Sequence, residues 1–98
     1  MIKRIVKMTF REEQTADFIA IFDESKDAIR AFPGCLHLEL LQSQSPDNIF
    51  FTYSWWEGES DLERYRQSEL FKSTWARTKA LFAVPAKAWT VQSLRQLD

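Results

Sequence analysis

The stretch CLHLELLQ–SQSPDN–IFFTYSWW, residues 35–56, constrains the chain more than any other. Two β-branched, aromatic and leucine-rich runs flank a polar connection, Ser43 to Asn48, that is rich in turn residues. That pattern reads as a β-hairpin over 35–42 and 49–56. Helical periodicity lies on either side of it. Upstream, Phe18, Ile21, Phe22, Ser25, Ala28, Ile29 and Phe32 recur at three- and four-residue spacing, predicting a helix over 13–32. Glu12, Glu13 and Asp17 suit its dipole, and Pro33-Gly34 stops it. Downstream, Ser60-Asp61-Leu62-Glu63 reads as a capping box for a short helix to about Gln67. Ser68 caps a second segment to about Ala83, with Leu70, Phe71, Thr74, Trp75, Thr78, Leu81 and Phe82 as its apolar stripe. Pro85 ends that helix. The outer runs, IKRIVKMTF (2–10) and AKAWTVQSL (86–94), read as strands.

The order is therefore β-α-β-β-α-β, the second helix being broken near Ser68. It predicts an α+β, ferredoxin-like domain over 1–98, with a four-stranded antiparallel sheet and helices on one face. If the hairpin turns near Ser45-Pro46, Leu36, Leu38 and Leu40 share a face with Phe51, Tyr53 and Trp55. Cys35, His37, Glu39, Thr52, Ser54 and Trp56 then take the other; a one-residue slip exchanges the sets.

Composition narrows the function. With 13 Lys+Arg against 14 Asp+Glu there is no basic surplus for nucleic acid. One Cys excludes an internal disulfide and a thiol-rich zinc site, and two Gly exclude a phosphate-cradling loop. No apolar run approaches the roughly 20 residues of a membrane span, and no secretory signal follows Met1-Ile2-Lys3-Arg4. The expectation is a soluble cytoplasmic domain. Eight Phe, four Trp and two Tyr are many for 98 residues. A domain this small hides only some of them, so a dimer interface or an apolar ligand pocket is implied. Both faces of the sheet carry apolar residues, which points to a partner sheet on the second face.

Three further groups of residues carry a resemblance: Phe32-Pro33-Gly34-Cys35; Tyr53-x-x-Trp56; and Ser60-Asp61-Leu62-x-x-Tyr65-x-x-Ser68-x-x-Phe71. Over roughly residues 2–91 the chain resembles the antibiotic biosynthesis monooxygenase family, within the dimeric α/β-barrel group. The resemblance implies a homodimer with sheets packed face to face and a pocket in each subunit between sheet and helices. It also implies chemistry that some members perform on phenolic polycyclic substrates without metal or flavin. Other members degrade haem through an Asn on the first strand, a Trp on the short helix and a His on the next. Here those positions hold Val6, Tyr65 and Trp75, and the one Asn is Asn48. Haem degradation is therefore not expected.

Cofactor-free oxygenation needs a desolvated apolar pocket and a base. His37, the one His, is the candidate base, or else a structural residue at a dimer seam. A His facing the helices beside Tyr65 or Trp75 favours an enzyme; one facing a partner sheet favours a binding or structural role. Tyr65 and Trp75 are the other catalytic candidates, each also readable as core. Trp56, Arg66 and Phe71 are candidates for the substrate pocket, with Arg66 or Lys72 placed to stabilise a phenolate. Trp89 is expected at the dimer interface. Cys35, His37 and Glu39 resemble a metal triplet, but alternate strand residues spread over about 13 Å and do not converge on one ion; Cys35 reads as a small buried hydrophobe. No metal or cofactor is expected. The first functional reading is a cofactor-independent monooxygenase acting on a small aromatic or quinol substrate. The second is a non-catalytic homodimer that binds an apolar small molecule, and the third is an isomerase-like or stress-related dimer.

Overall fold

The computed structural model describes all 98 residues. Strand β1 (Ile2–Phe10) leads through one 3-10 turn into helix α1 (Thr15–Arg30). The hairpin follows as β2 (Cys35–Gln42) and β3 (Ile49–Trp56), then helices α2 (Glu59–Arg66) and α3 (Glu69–Lys79), and finally β4 (Phe82–Val91). The sheet order is β2-β3-β1-β4, with every neighbouring pair antiparallel. This is the ferredoxin-like arrangement. No helix is long and apolar enough to cross a membrane.

Local chemistry accounts for most boundaries. Gly34 adopts φ +91°, a left-handed conformation that carries the chain from α1 into β2. A Cβ there would also collide with the Asp61 side chain of α2, so this turn is glycine on two counts. Ser68 caps α3 by accepting from the Phe71 N–H at 3.1 Å. The C-terminus of α3 is held by Arg11, whose guanidinium donates to the carbonyls of Ala80 and Phe82 at 3.1 and 3.3 Å.

Three expectations are corrected. The Ser60 capping box does not form: α2 starts two residues earlier, with Gly58 at its N-cap and no side-chain cap. The last helix ends at Lys79, not near Ala83, and β4 begins at Phe82 instead of 86. Pro85 lies inside β4, where the β1–β4 register shifts between Lys7 and Thr9. β4 is an edge strand with an irregularity there, the setting in which a strand tolerates Pro. The third correction is the hairpin register. His37 pairs with Trp55, Leu38 with Ser54, Glu39 with Tyr53 and Leu40 with Thr52. Leu38 and Leu40 therefore share a face with Ser54 and Thr52, while His37 and Glu39 share one with Trp55 and Tyr53. The cause lies at the loop: Gln42 pairs with Phe50, so the turn centres on Pro46 and the run 37–42 pairs one residue off the expectation, while one extra residue at Leu36 keeps Cys35 opposite Trp56 on the face that Leu38 occupies.

The helices cover one face. Met8, Phe10, Phe18 and Phe50 form one buried cluster, and Cys35, Trp56 and Leu62 form a second. The other face carries Ile5, Phe51, Tyr53, Trp55, Trp89 and Val91, together with His37, by strand alternation. Trp89 is 46% exposed and Val84 51%.

Candidate functional site

The two clusters do not merge. Between them lies a cavity of about 310 Å³, walled by Met8 and Phe18 of the first and Trp56 and Leu62 of the second. The sheet supplies its floor. Arg4, Val6 and Met8 alternate along β1, Thr52, Ser54 and Trp56 along β3, and Ala86 and Ala88 along β4. The two alanines leave space that larger side chains would fill. The helices supply Phe22 and Ile29 from α1, Tyr65 and Arg66 from α2, and Phe71 and Trp75 from α3.

One wall is a continuous run of rings. Trp56 stacks on Tyr65 at 5.0 Å between centroids, Tyr65 meets Phe71 edge-on at 5.2 Å, and Phe71 stacks on Trp75 at 5.8 Å. Such pairs hold one another in fixed orientations and present a flat apolar surface. Trp56 is also pinned through its indole N–H, which donates to the Ser54 hydroxyl at 3.0 Å.

Polar groups are few. Nineteen residues line the cavity, and none is His, Asp, Glu, Lys or Cys. The charges present are the guanidiniums of Arg4 and Arg66. Arg4 donates to the Thr90 hydroxyl at 2.9 Å and has no carboxylate within ion-pair distance. Burial pulls its pKa below the usual arginine value; Arg66 lowers it further and Glu63 opposes. Arg66 lies 3.5 Å from Glu63 in an exposed i,i+3 pair.

Burial holds the Tyr65 phenol well above the ordinary tyrosine value, and Cys35 adds to the effect. Tyr65 therefore stays protonated near neutral pH, where it can donate a hydrogen bond but does not serve as a base. Burial likewise raises the Cys35 thiol, against its bond to the His37 carbonyl and the nearby Arg30. Both shifts have the same sign. The unfolded chain ionises tyrosine near pH 10, about the reference value, while folded Tyr65 remains neutral. Its contribution to stability is full below about pH 10 and is lost as pH rises beyond it. Urea midpoints taken from about pH 8 to 11 should fall more steeply for the wild type than for Tyr65→Phe; parallel declines would contradict this.

Of the residues singled out by sequence, Tyr65, Trp75, Trp56, Arg66 and Phe71 come together around the cavity. His37 does not. It lies on the opposite face, packed against Trp55 at 4.5 Å between ring centroids and bonded to Glu39 at 3.0 Å. Lys72 is exposed and outside the lining. Cys35 is buried with Trp56 and Leu62, away from the face of His37 and Glu39, so the three do not form the triplet their alternation suggested. Arg4 was not anticipated. Its signal was available: Arg4, Val6, Met8 and Phe10 alternate on one face of β1, and Met8 and Phe10 are core.

Comparison with known proteins agrees with this fold. Residues 1–77 match the family model for antibiotic biosynthesis monooxygenase. No curated protein matches the chain. Among solved structures, one described as an antibiotic biosynthesis monooxygenase superposes with a TM-score of 0.91 at 18% identity, covering 97% of this chain and 100% of that one. A protein from Mycobacterium tuberculosis superposes at 0.88 with 18% identity, covering 99% and 98%. A variant of SnoaB, a cofactor-independent oxygenase from Streptomyces nogalater, superposes at 0.87 with 17% identity, covering 98% and 95%.

Proposed function

The chain belongs to the antibiotic biosynthesis monooxygenase family, and from that premise we propose that it is a cofactor-independent monooxygenase whose small aromatic or quinol substrate lies in the cavity between sheet and helices. The observation that carries this reading is the unbroken aromatic wall from Trp56 through Tyr65 and Phe71 to Trp75. It matches a flat ring system. The cavity of about 310 Å³ is roughly twice one that holds benzene, which suits two or three fused rings.

The chemistry asks little covalent work of the protein. Loss of one proton to solvent water from an anthrone- or quinol-type substrate gives an anion that passes an electron to O2, and a solvent proton later neutralises the peroxide. The radical pair closes a C–O bond to give a peroxide, and loss of water leaves the carbonyl. One oxygen atom ends in the product and the other in water. Both electron pairs come from the substrate, so no external reductant is consumed. The aromatic wall fixes the ring, the apolar lining excludes water, Tyr65 donates to a substrate oxygen, and Arg66 stabilises the anion.

One observation favours a second reading, a non-catalytic dimer that binds an apolar molecule. His37 faces away from the cavity, and no lining side chain is a base near neutral pH. Oxygen uptake with a panel of hydroquinones, anthrones and flavonols separates the two. Uptake above the buffer background supports the monooxygenase; saturable binding without uptake supports the binder.

The proposal includes a homodimer formed by the helix-free sheet face. Trp89, Val84, Val91 and Leu41 are exposed there, an apolar surface that a second sheet would cover. Of the lysines of this face, Lys3 sits over the Trp55 ring at 4.6 Å.

A further inference from the structure

Arg4 and Arg66 are the two charged groups on an otherwise uncharged lining. They reach it from different elements, β1 and the last turn of α2. Each has donors to spare. Arg4 spends one on the Thr90 hydroxyl and meets no carboxylate. Arg66 shares Glu63 at 3.5 Å, and the other Glu63 oxygen already accepts from Gln67 at 2.9 Å. Two like charges on one apolar lining repel, and half-buried Arg4 has no carboxylate to offset its charge, while exposed Arg66 has only the shared Glu63. An anion shared between them removes that repulsion and fills open guanidinium forks, which suit a planar carboxylate. The lining has no Asp or Glu to balance these two guanidiniums, so a ligand that carries its own negative charge fits it.

We infer that the ligand of this cavity is an aromatic acid, a two- or three-ring system whose ring-borne carboxylate seats between Arg4 and Arg66 while its rings lie against the Trp56–Trp75 wall. This rests on reading the cavity as the substrate site and names the substrate class within it. Arg4 is then a specificity-determining residue.

The test compares 1-hydroxy-2-naphthoate with its neutral counterpart 1-naphthol, by calorimetry and ligand fluorescence. The acid should bind about tenfold to a hundredfold tighter, the range of one or two charge-assisted hydrogen bonds. Arg4→Met and Arg66→Met should each cut that preference, read as the ratio of the two affinities on the same variant, about tenfold. Arg4→Lys, which keeps the charge and loses the fork, should retain part of the preference, and it serves if Arg4→Met fails to fold. Equal or weaker binding of the acid, or a preference that survives both Met variants, overturns the inference. The outcomes also separate it from the oxygenase reading. An arginine-dependent preference without oxygen uptake upholds the acid site and removes the oxygenase. Uptake on neutral quinols with no binding of the acid does the reverse. Binding of neither compound overturns the inference.

Discussion

Replacing Trp56 by Ala is expected to cost about 3–5 kcal/mol of folding stability, the range for deleting a buried large aromatic. A domain of this size has only about 5–15 kcal/mol in total. Trp56 is 1% exposed and is the largest side chain buried to that degree. It holds Phe32 and Tyr65 in ring contact, and its N–H satisfies Ser54. It also closes the cavity beside Leu62, so its loss leaves a void that merges with the existing one rather than collapsing. Trp56→Phe should cost less, since the ring remains and the bond to Ser54 is lost at about 1 kcal/mol. Urea denaturation reads both values. A loss below about 1 kcal/mol for Trp56→Ala would show that the second cluster contributes little to the fold.

The second large effect concerns assembly. The wild type should sediment at twice its 11.6 kDa at micromolar concentration. The double substitution Tyr53→Asp and Trp89→Asp should weaken association about a thousandfold (~4 kcal/mol) and give a monomer. Both residues lie on the helix-free face, so the carboxylates are placed on the contact surface without touching the core under the helices. About 800 Å² per partner is needed for a stable dimer, and this face is the apolar surface available to supply it. A wild-type monomer, or a double variant that remains dimeric, would remove the sheet-to-sheet arrangement.

How far the sequence foretold this molecule depended on the kind of signal. Element order and type were legible because each element has its own signal: every other residue in CLHLELLQ, β-branched and aromatic residues throughout IFFTYSWW, every third or fourth in the stripe from Phe18 to Ile29. Which face a strand residue takes was not. The centre of the hairpin turn sets the facing of the run 37–42, and no composition signal marks it. A turn centred on Pro46 put His37 on the helix-free face and Leu38 at the cavity, and the extra residue at Leu36 left only Cys35 where expected. The end of α3 was misplaced because Leu81 and Phe82 continue a helical stripe; packing decides otherwise, and Phe82 joins β4 against Phe10. The aromatic members of the site were legible, since Tyr65, Phe71 and Trp75 lie on helices whose periodicity is clear. Arg4 was overlooked because a charge in a strand reads first as solvent-facing. Ala86 and Ala88 were overlooked because a cavity is defined by what is missing, and small residues leave no pattern.

The central claim is that this cavity is where substrate meets oxygen. The measurement that tests it most directly is oxygen uptake with hydroquinones, anthrones and hydroxynaphthoates, using protein freed of metal by chelation and of flavin by dialysis. Wild type is compared with Ala86→Phe, which fills the floor from the edge strand. The account predicts uptake by the wild type and at least a hundredfold less by Ala86→Phe (~2.7 kcal/mol) at unchanged secondary structure. Uptake that survives the filled cavity would contradict it.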